Sequence, residues 1–229
     1  MSCNILAIDT STEACSVGLL FNGQISENLV ISQRDHTKHI LPMIDKILRQ
    51  SDCSLAQLDA IAFGQGPGSF TGVRIGIGVA QGLALGINCP LIGVSNLMAL
   101  AQGAYRKTAA KHVISAIDAR MSEVYLGVYQ YLDNGNWQAM IDECVIKPGE
   151  VANKLSHSQL INPVIAGTGW QTYSTMLDNV KDSYHYLPEA QDMVVIAEKH
   201  FKEGHITAVE EVQATYLRNE VTWKKLPGK

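Results

Sequence analysis

Several kinds of chemistry are suggested by residue type and spacing. Asp9 ends an apolar run and is followed by Thr10 and Ser11, and Asp118 ends a second such run. A carboxylate beside hydroxyls at a strand end can hold a magnesium-linked phosphate, so Asp9, Thr10, Ser11 and Asp118 are candidate nucleotide contacts. The plainer reading is that both carboxylates bond to their own turns. Gly64-Gln-Gly-Pro-Gly-Ser-Phe-Thr-Gly72 leads into a helical stretch, and a helix N-terminus attracts anions. It lacks the lysine of a P-loop, since Val73 and Arg74 stand where Lys-Ser/Thr belongs. It also completes no dinucleotide fingerprint, so a tight turn that lets a helix pack closely on a sheet is favoured.

The remaining candidates are weaker. His36 and His39 lie three apart beside Asp35, with no third ligand indicated. Gly93-Val-Ser95-Asn-Leu97 begins like a nucleophile elbow, but Leu97 replaces the glycine that the sharp turn needs. Cys3, Cys15, Cys53, Cys89 and Cys144 are odd in number with no paired spacing, which fits free thiols in a reducing cytoplasm. Residues 216–229 carry Arg218, Lys224, Lys225 and Lys229 with Trp223 and one acid, Glu220. A solvated tail is favoured there over a nucleic-acid contact.

The elements that position these residues follow from pattern. Residues 5–9, 16–21 and 24–31 read as strands, the last two joined by the turn pair Asn22-Gly23. Ile40, Met43, Ile44, Ile47 and Leu48 recur on one helix face, with Pro42 at its start or at a kink. A buried strand over residues 60–63 enters the glycine turn. A helix capped by Ser69 or Thr71 runs to about Gly86, a strand over 90–94 follows, and then a helix over 96–106.

The chain then repeats. Ala7-Ile8-Asp9 returns as Ala116-Ile117-Asp118, and Val17-Gly18-Leu19 as Leu126-Gly127-Val128, both at an offset of 109; Asn134-Gly135 echoes Asn22-Gly23. Residues 165–169 echo 61–66 more loosely. Internal repetition of strand meanders followed by strand–helix units predicts two duplicated α/β halves, at residues 1–107 and 108–229, the second ending in a polar tail. Two halves that each open with a strand–Asp–hydroxyl turn resemble the actin-like ATPase plan with its ribonuclease H-like core.

Composition narrows the function. The 229 residues carry 18 Lys+Arg and 22 Asp+Glu, a net charge of −4, which argues against a general nucleic-acid binder. Residues 60–105 hold one charge, Arg74. Residues 75–94 are long enough to span a bilayer, but Gln81, Asn88, Pro90 and the glycines favour a buried helix, turn and strand, and no membrane association is expected. The first six residues show no signal peptide.

Gly78, Gly82 and Gly86 form one ridge of the uncharged helix, and Gly72, Gly76, Ala80 and Ala84 form another. Each helical glycine costs roughly 0.8–1.0 kcal/mol relative to alanine, and close backbone packing is the usual return. One ridge is expected on the sheet, with Val73, Ile77, Gln81 and Leu85 facing outward beside the helix over residues 35–49. The expected protein interface comprises Ile40, Ile44, Val73, Arg74, Ile77, Gly78, Gln81, Gly82 and Leu85.

Leu6-Ala-Ile-Asp-Thr-Ser-Thr12, Gly66-Pro-Gly-Ser-Phe-Thr-Gly-Val-Arg-Ile-Gly76 and Ala80-Gln-Gly-Leu-Ala84 together resemble the bacterial TsaB (YeaZ) family. Ile117-Asp-Ala-Arg120, Glu123-Val-Tyr125 and Tyr216-Leu-Arg218 extend the resemblance over nearly the whole chain. It implies a non-catalytic subunit that pairs with the TsaD (YgjD) paralogue through its N-terminal half and works with the TsaE (YjeE) ATPase. Together they transfer a threonylcarbamoyl group to the adenosine beside the anticodon, position 37, of tRNAs reading codons that start with A. The same surface would form a homodimer when the partner is absent. The catalytic paralogue carries a His-x-x-x-His metal pair where this chain has Asn96 and Leu100, so no catalytic residue, metal or cofactor is expected, with ATP or ADP held weakly or only in the complex. The alternatives are a kinase-like or hydrolase enzyme of the actin-like fold, and a stand-alone homodimeric interaction module.

Overall fold

The computed structural model describes residues 3–32, 35–177 and 187–218. Its first sheet has the order β3-β2-β1-β4-β5, from β1 (Ile5–Asp9), β2 (Ala14–Phe21), β3 (Gln24–Ile31), β4 (Ala60–Gly66) and β5 (Leu91–Ser95). The first three strands form an antiparallel meander, and β4 and β5 add on parallel to β1. The second sheet, β8-β7-β6-β9, repeats the plan with β6 (His112–Arg120), β7 (Glu123–Tyr131), β8 (Trp137–Ile146) and β9 (Val164–Ala166). This is the duplicated α/β, ribonuclease H-like architecture of the actin-like fold that the repeat implies.

Strand alternation explains the layers. In β1, Leu6 and Ile8 point into one core and Ile5 and Ala7 into another. The first core is closed by α1 (His36–Gln50) and α2 (Phe70–Ile87). Ser69 caps α2, its Oγ accepting from the Gly72 N–H at 3.3 Å, and Asn88 ends the helix in the left-handed conformation. By length and composition α2 would suffice to cross a membrane. Here its small-residue ridge of Gly72, Gly76, Ala80 and Ala84 is buried on the protein side.

α3 (Asn96–Thr108) packs against the second sheet, where Leu97, Leu100, Ala101 and Ala104 meet Val113, Ile117 and Tyr129. The opposite face of that sheet holds α4 (Val151–Leu155) and α5 (Thr168–Thr172) through Val151, Leu155 and Trp170. α6 (Ala190–Lys202) falls within the range expected for the second half, yet it covers the first sheet: Ala190, Met193, Val194 and Ala197 join Ile5, Ala7, Ala62 and Val94. The two units are thus sequential for the sheets but interleaved for the helices.

The two meanders differ in detail. Asn22-Gly23 makes a two-residue turn with φ of 51° and 76°, whereas Asn134-Gly135 sits within a five-residue loop closed by the Leu132 N–H on the Asn136 carbonyl. Ala7 faces Gly18, but Gly127 faces Ser115 rather than Ala116. A constant offset of 109 therefore describes the topology and misses a one-residue change of register.

Candidate functional site

Asp9, Gly66 and Asn96 stand at the C-terminal ends of the parallel strands β1, β4 and β5, where open α/β sheets place their ligands. In this chain Asn96 is bonded to both of the others. Asp9 is buried, and its Oδ1 accepts from Asn96 Nδ2 at 2.8 Å. Its Oδ2 accepts from the Ser11 N–H at 3.3 Å and the Ser11 hydroxyl at 3.1 Å. Asn96 also contacts Ser11 Oγ at 2.6 Å and accepts from the Gly66 N–H at 2.8 Å. Thr10 Oγ1 donates to the Gly72 carbonyl at 2.7 Å. Burial pushes the Asp9 carboxyl up to about 7, against the opposing pull of these hydrogen bonds.

The glycines make this closure possible. A Cβ at Gly64 would lie 2.1 Å from Asp9 Oδ1, one at Gly68 2.7 Å from the Ser11 carbonyl oxygen, and one at Gly72 2.1 Å from the Thr10 carbonyl oxygen. The glycine loop packs directly on the Asp-Thr-Ser turn, as the tight-turn reading expects. Asp9, Thr10 and Ser11 share this first turn, but their polar atoms are spent on Asn96, Gly72 and one another, while Asp118 lies in the second turn and bonds Arg120. Sequence reasoning misses Asn96 as the group that ties the turn; its available signal is a polar residue opening an apolar first helical turn.

The second turn is filled differently. Asp118 accepts from the Arg120 N–H at 2.9 Å and pairs with its guanidinium at 3.1 Å. Arg120, Met121 and Ser122 all adopt left-handed backbone, with φ of 61°, 55° and 60°, unusual for three successive non-glycine residues. Arg218 steadies this turn by donating to the Ala119 carbonyl at 3.2 Å and pairing with Glu123.

A metal centre like that implied for the paralogue does not fit these residues. Leu100 is fully buried in apolar company and Asn96 is committed to Asp9 and Gly66. Among the described residues no group of three His, Cys, Asp or Glu could hold a metal ion. His36 is buried with Nε2 2.7 Å from the Thr12 carbonyl oxygen, a structural role. Ser95 caps α3 through the Met98 N–H and bonds Glu143, which also accepts from the Tyr129 hydroxyl at 2.6 Å.

The expected interface residues divide. Ile40, Ile44, Val73 and Ile77 are buried in the first core, so they are corrected to packing residues: their apolar side chains join α1 and α2 to the sheet. The exposed apolar residue of α1 is instead Leu41. Arg74, Gly78, Gly82 and Leu85 face outward, and among the described residues a Cβ at Gly78, Gly82 or Gly86 would meet nothing within 4 Å. Gln81 is half-buried and donates to the Val209 carbonyl at 2.8 Å.

That bond belongs to a C-terminal strap. Thr207 bridges Leu91, the Thr215 N–H donates to the Gln65 carbonyl at 2.8 Å, and Tyr216 packs near Phe70. The expectation of a solvated tail is therefore corrected for Tyr216 and Arg218, which meet Phe70 and Glu123, and the segment leading to them is docked on the first half by the backbone groups of Thr207, Val209 and Thr215. Glu220, Trp223, Lys224, Lys225 and Lys229 lie outside the described residues.

A family model described as TsaD, tRNA N6-adenosine threonylcarbamoyltransferase, matches residues 25–225. The tRNA threonylcarbamoyladenosine biosynthesis protein TsaB of Escherichia coli (strain K12) is 50% identical over 229 residues, 98% of this chain and 99% of the relative. Its namesake from Haemophilus influenzae is 46% identical over 233 residues, 98% of each chain. The solved structure of YeaZ from Pseudomonas aeruginosa matches with a TM-score of 0.85 and 41% identity, over 94% of this chain and 100% of that one. On near-full-length identity and shared fold, the chain belongs to the TsaB (YeaZ) family of tRNA threonylcarbamoyladenosine biosynthesis proteins.

Proposed function

We propose that the chain is the non-catalytic scaffold subunit of the threonylcarbamoyl-transferring complex. It pairs with TsaD through the outward face of α2 and the neighbouring part of α1, and it works with TsaE. The tRNA is met through the complex, the compartment is the cytoplasm, and no cofactor is held by the chain itself. ATP or ADP is bound weakly or only within the complex.

The observation that carries this reading is the closed first turn. Asp9, Thr10 and Ser11 are each about 1% exposed, and their side chains bond to Asn96, Gly72 and one another. A phosphate there would have to displace the Thr10 carbonyl packed on Gly72, and a metal would meet Leu100 where a ligand is needed. The open ridge of Gly78, Gly82 and Gly86 supports the pairing half of the reading. Among the described residues those glycines gain no packing to offset their helical cost. Native mass measurement of the chain mixed with purified TsaD tests it: a heterodimer formed at the expense of the homodimer is expected. A homodimer that never exchanges would favour the stand-alone module.

A further inference from the structure

Arg74 is the one charge in residues 60–105, and it is held by aromatics rather than by a counter-ion. Its guanidinium lies 3.3 Å from the Phe70 ring centroid and 5.1 Å from that of Tyr216, and the two rings are 6.2 Å apart. Its hydrogen bond runs to the Phe70 carbonyl of its own helix at 3.0 Å, and among the described residues it has no carboxylate partner. Phe70 and Tyr216 are themselves 66% and 53% exposed, and Leu85, further along α2, is 74% exposed. Tyr216 arrives on the strap, which is anchored one residue earlier by Thr215 on Gln65 and two residues later by Arg218 on Glu123.

We propose that Tyr216 is a positioning residue for pairing: with Phe70 it holds Arg74 at the N-terminal end of the α2 face, where the cation receives a carboxylate of the partner protein. The docking surface is therefore composite, made by α2 and the C-terminal strap together. This rests on the reading of α2 as the docking face. A planar guanidinium stacked on rings keeps its edge free for a bidentate acid. A protein carboxylate is favoured over an RNA phosphate because, Thr71 apart, the other exposed residues along α2 are apolar or glycine. Backbone binding to RNA needs several cations, whereas α2 supplies Arg74 alone, and nearby Arg218 and, on α1, Lys38 and Arg49 are already paired with Glu123, Asp35 and Asp45.

The experiment measures affinity for purified TsaD by calorimetry, with circular dichroism on each variant. Arg74→Ala and Tyr216→Ala each weaken pairing about tenfold or more, Tyr216→Phe pairs like the parent, and the double variant is no weaker than Arg74→Ala alone. Undiminished pairing by folded Tyr216→Ala, while Gly82→Glu abolishes it, would overturn the inference and leave the docking face standing. Indifference of pairing to Gly82→Glu as well would remove the docking face itself. Intact pairing with loss of tRNA binding by the assembled complex would reassign the cluster to RNA and overturn the proposal.

Discussion

Asn96 reaches from the first turn of α3 to Asp9 at the end of β1, with Nδ2 2.8 Å from Oδ1, and so joins residues 87 positions apart in a buried polar knot. The same side chain serves Ser11 and the Gly66 N–H. Asn96→Leu would fill the space but leave the Asp9 carboxyl and the Gly66 N–H without this partner. A loss of about 3 kcal/mol is expected in urea denaturation.

Asp9 also sets a pH dependence. Its folded-state value, raised to about 7 by burial, exceeds its ordinary value of 3.8, so the folded state binds the proton more tightly than the unfolded one. The corresponding stability is fully present below about pH 4 and is lost as the pH rises toward 7. Asp9→Asn removes the titration. Its stability relative to the parent should improve across that window by roughly 3–4 kcal/mol, since each tenfold difference in proton affinity between the two states corresponds to about 1.4 kcal/mol. Glu27, raised by burial to about 7 as well, gives the parent a further slope of the same sign that Asp9→Asn leaves in place. A relative stability flat between pH 4 and 7 would show that Asp9 stays ionised.

The two glycine ridges of α2 should respond oppositely to added methyl groups. Gly72→Ala drives a Cβ toward the Thr10 carbonyl oxygen, 2.1 Å away, and should cost about 3 kcal/mol. The triple variant Gly78→Ala, Gly82→Ala, Gly86→Ala meets open space and should stabilise the isolated chain by roughly 2–3 kcal/mol. The same triple variant should weaken pairing, as read by sedimentation with TsaD.

Gly82→Glu introduces a charge at an open position of the outward face. Circular dichroism should remain native while pairing with TsaD and self-association are lost. An unfolded variant would mean that this ridge faces the core.

Much of the fold is legible in the sequence because local chemistry and tertiary demand agree. The 109-residue repeat, the Asn22-Gly23 turn and the Ser69 cap each specify their element directly. The outward face of α2 is harder to read. Two adjacent ridges of small residues look alike in sequence, and only the carbonyl and hydroxyl oxygens of Thr10, against Gly72 and Gly76, reveal which one is crowded. Val73 and Ile77 read as outward when the small-residue ridges alone are assigned to the sheet. In the fold these larger side chains fill the space between α2 and α1. α6 and the strap return to the first sheet from the far end of the chain, a long-range choice that no local pattern encodes. The role of Asn96 is hidden for the same reason, since its partners come from β1 and β4.

The scaffold reading is tested most directly by assaying threonylcarbamoyl transfer from a supplied activated threonylcarbamoyl donor to tRNA with the chain alone, with TsaD and TsaE, and with Asp9→Asn in the same mixture. No turnover by the chain alone is expected, with full turnover in the mixture and equal turnover with folded Asp9→Asn. Transfer or ATP hydrolysis by the purified chain, abolished by Asp9→Asn, would contradict it.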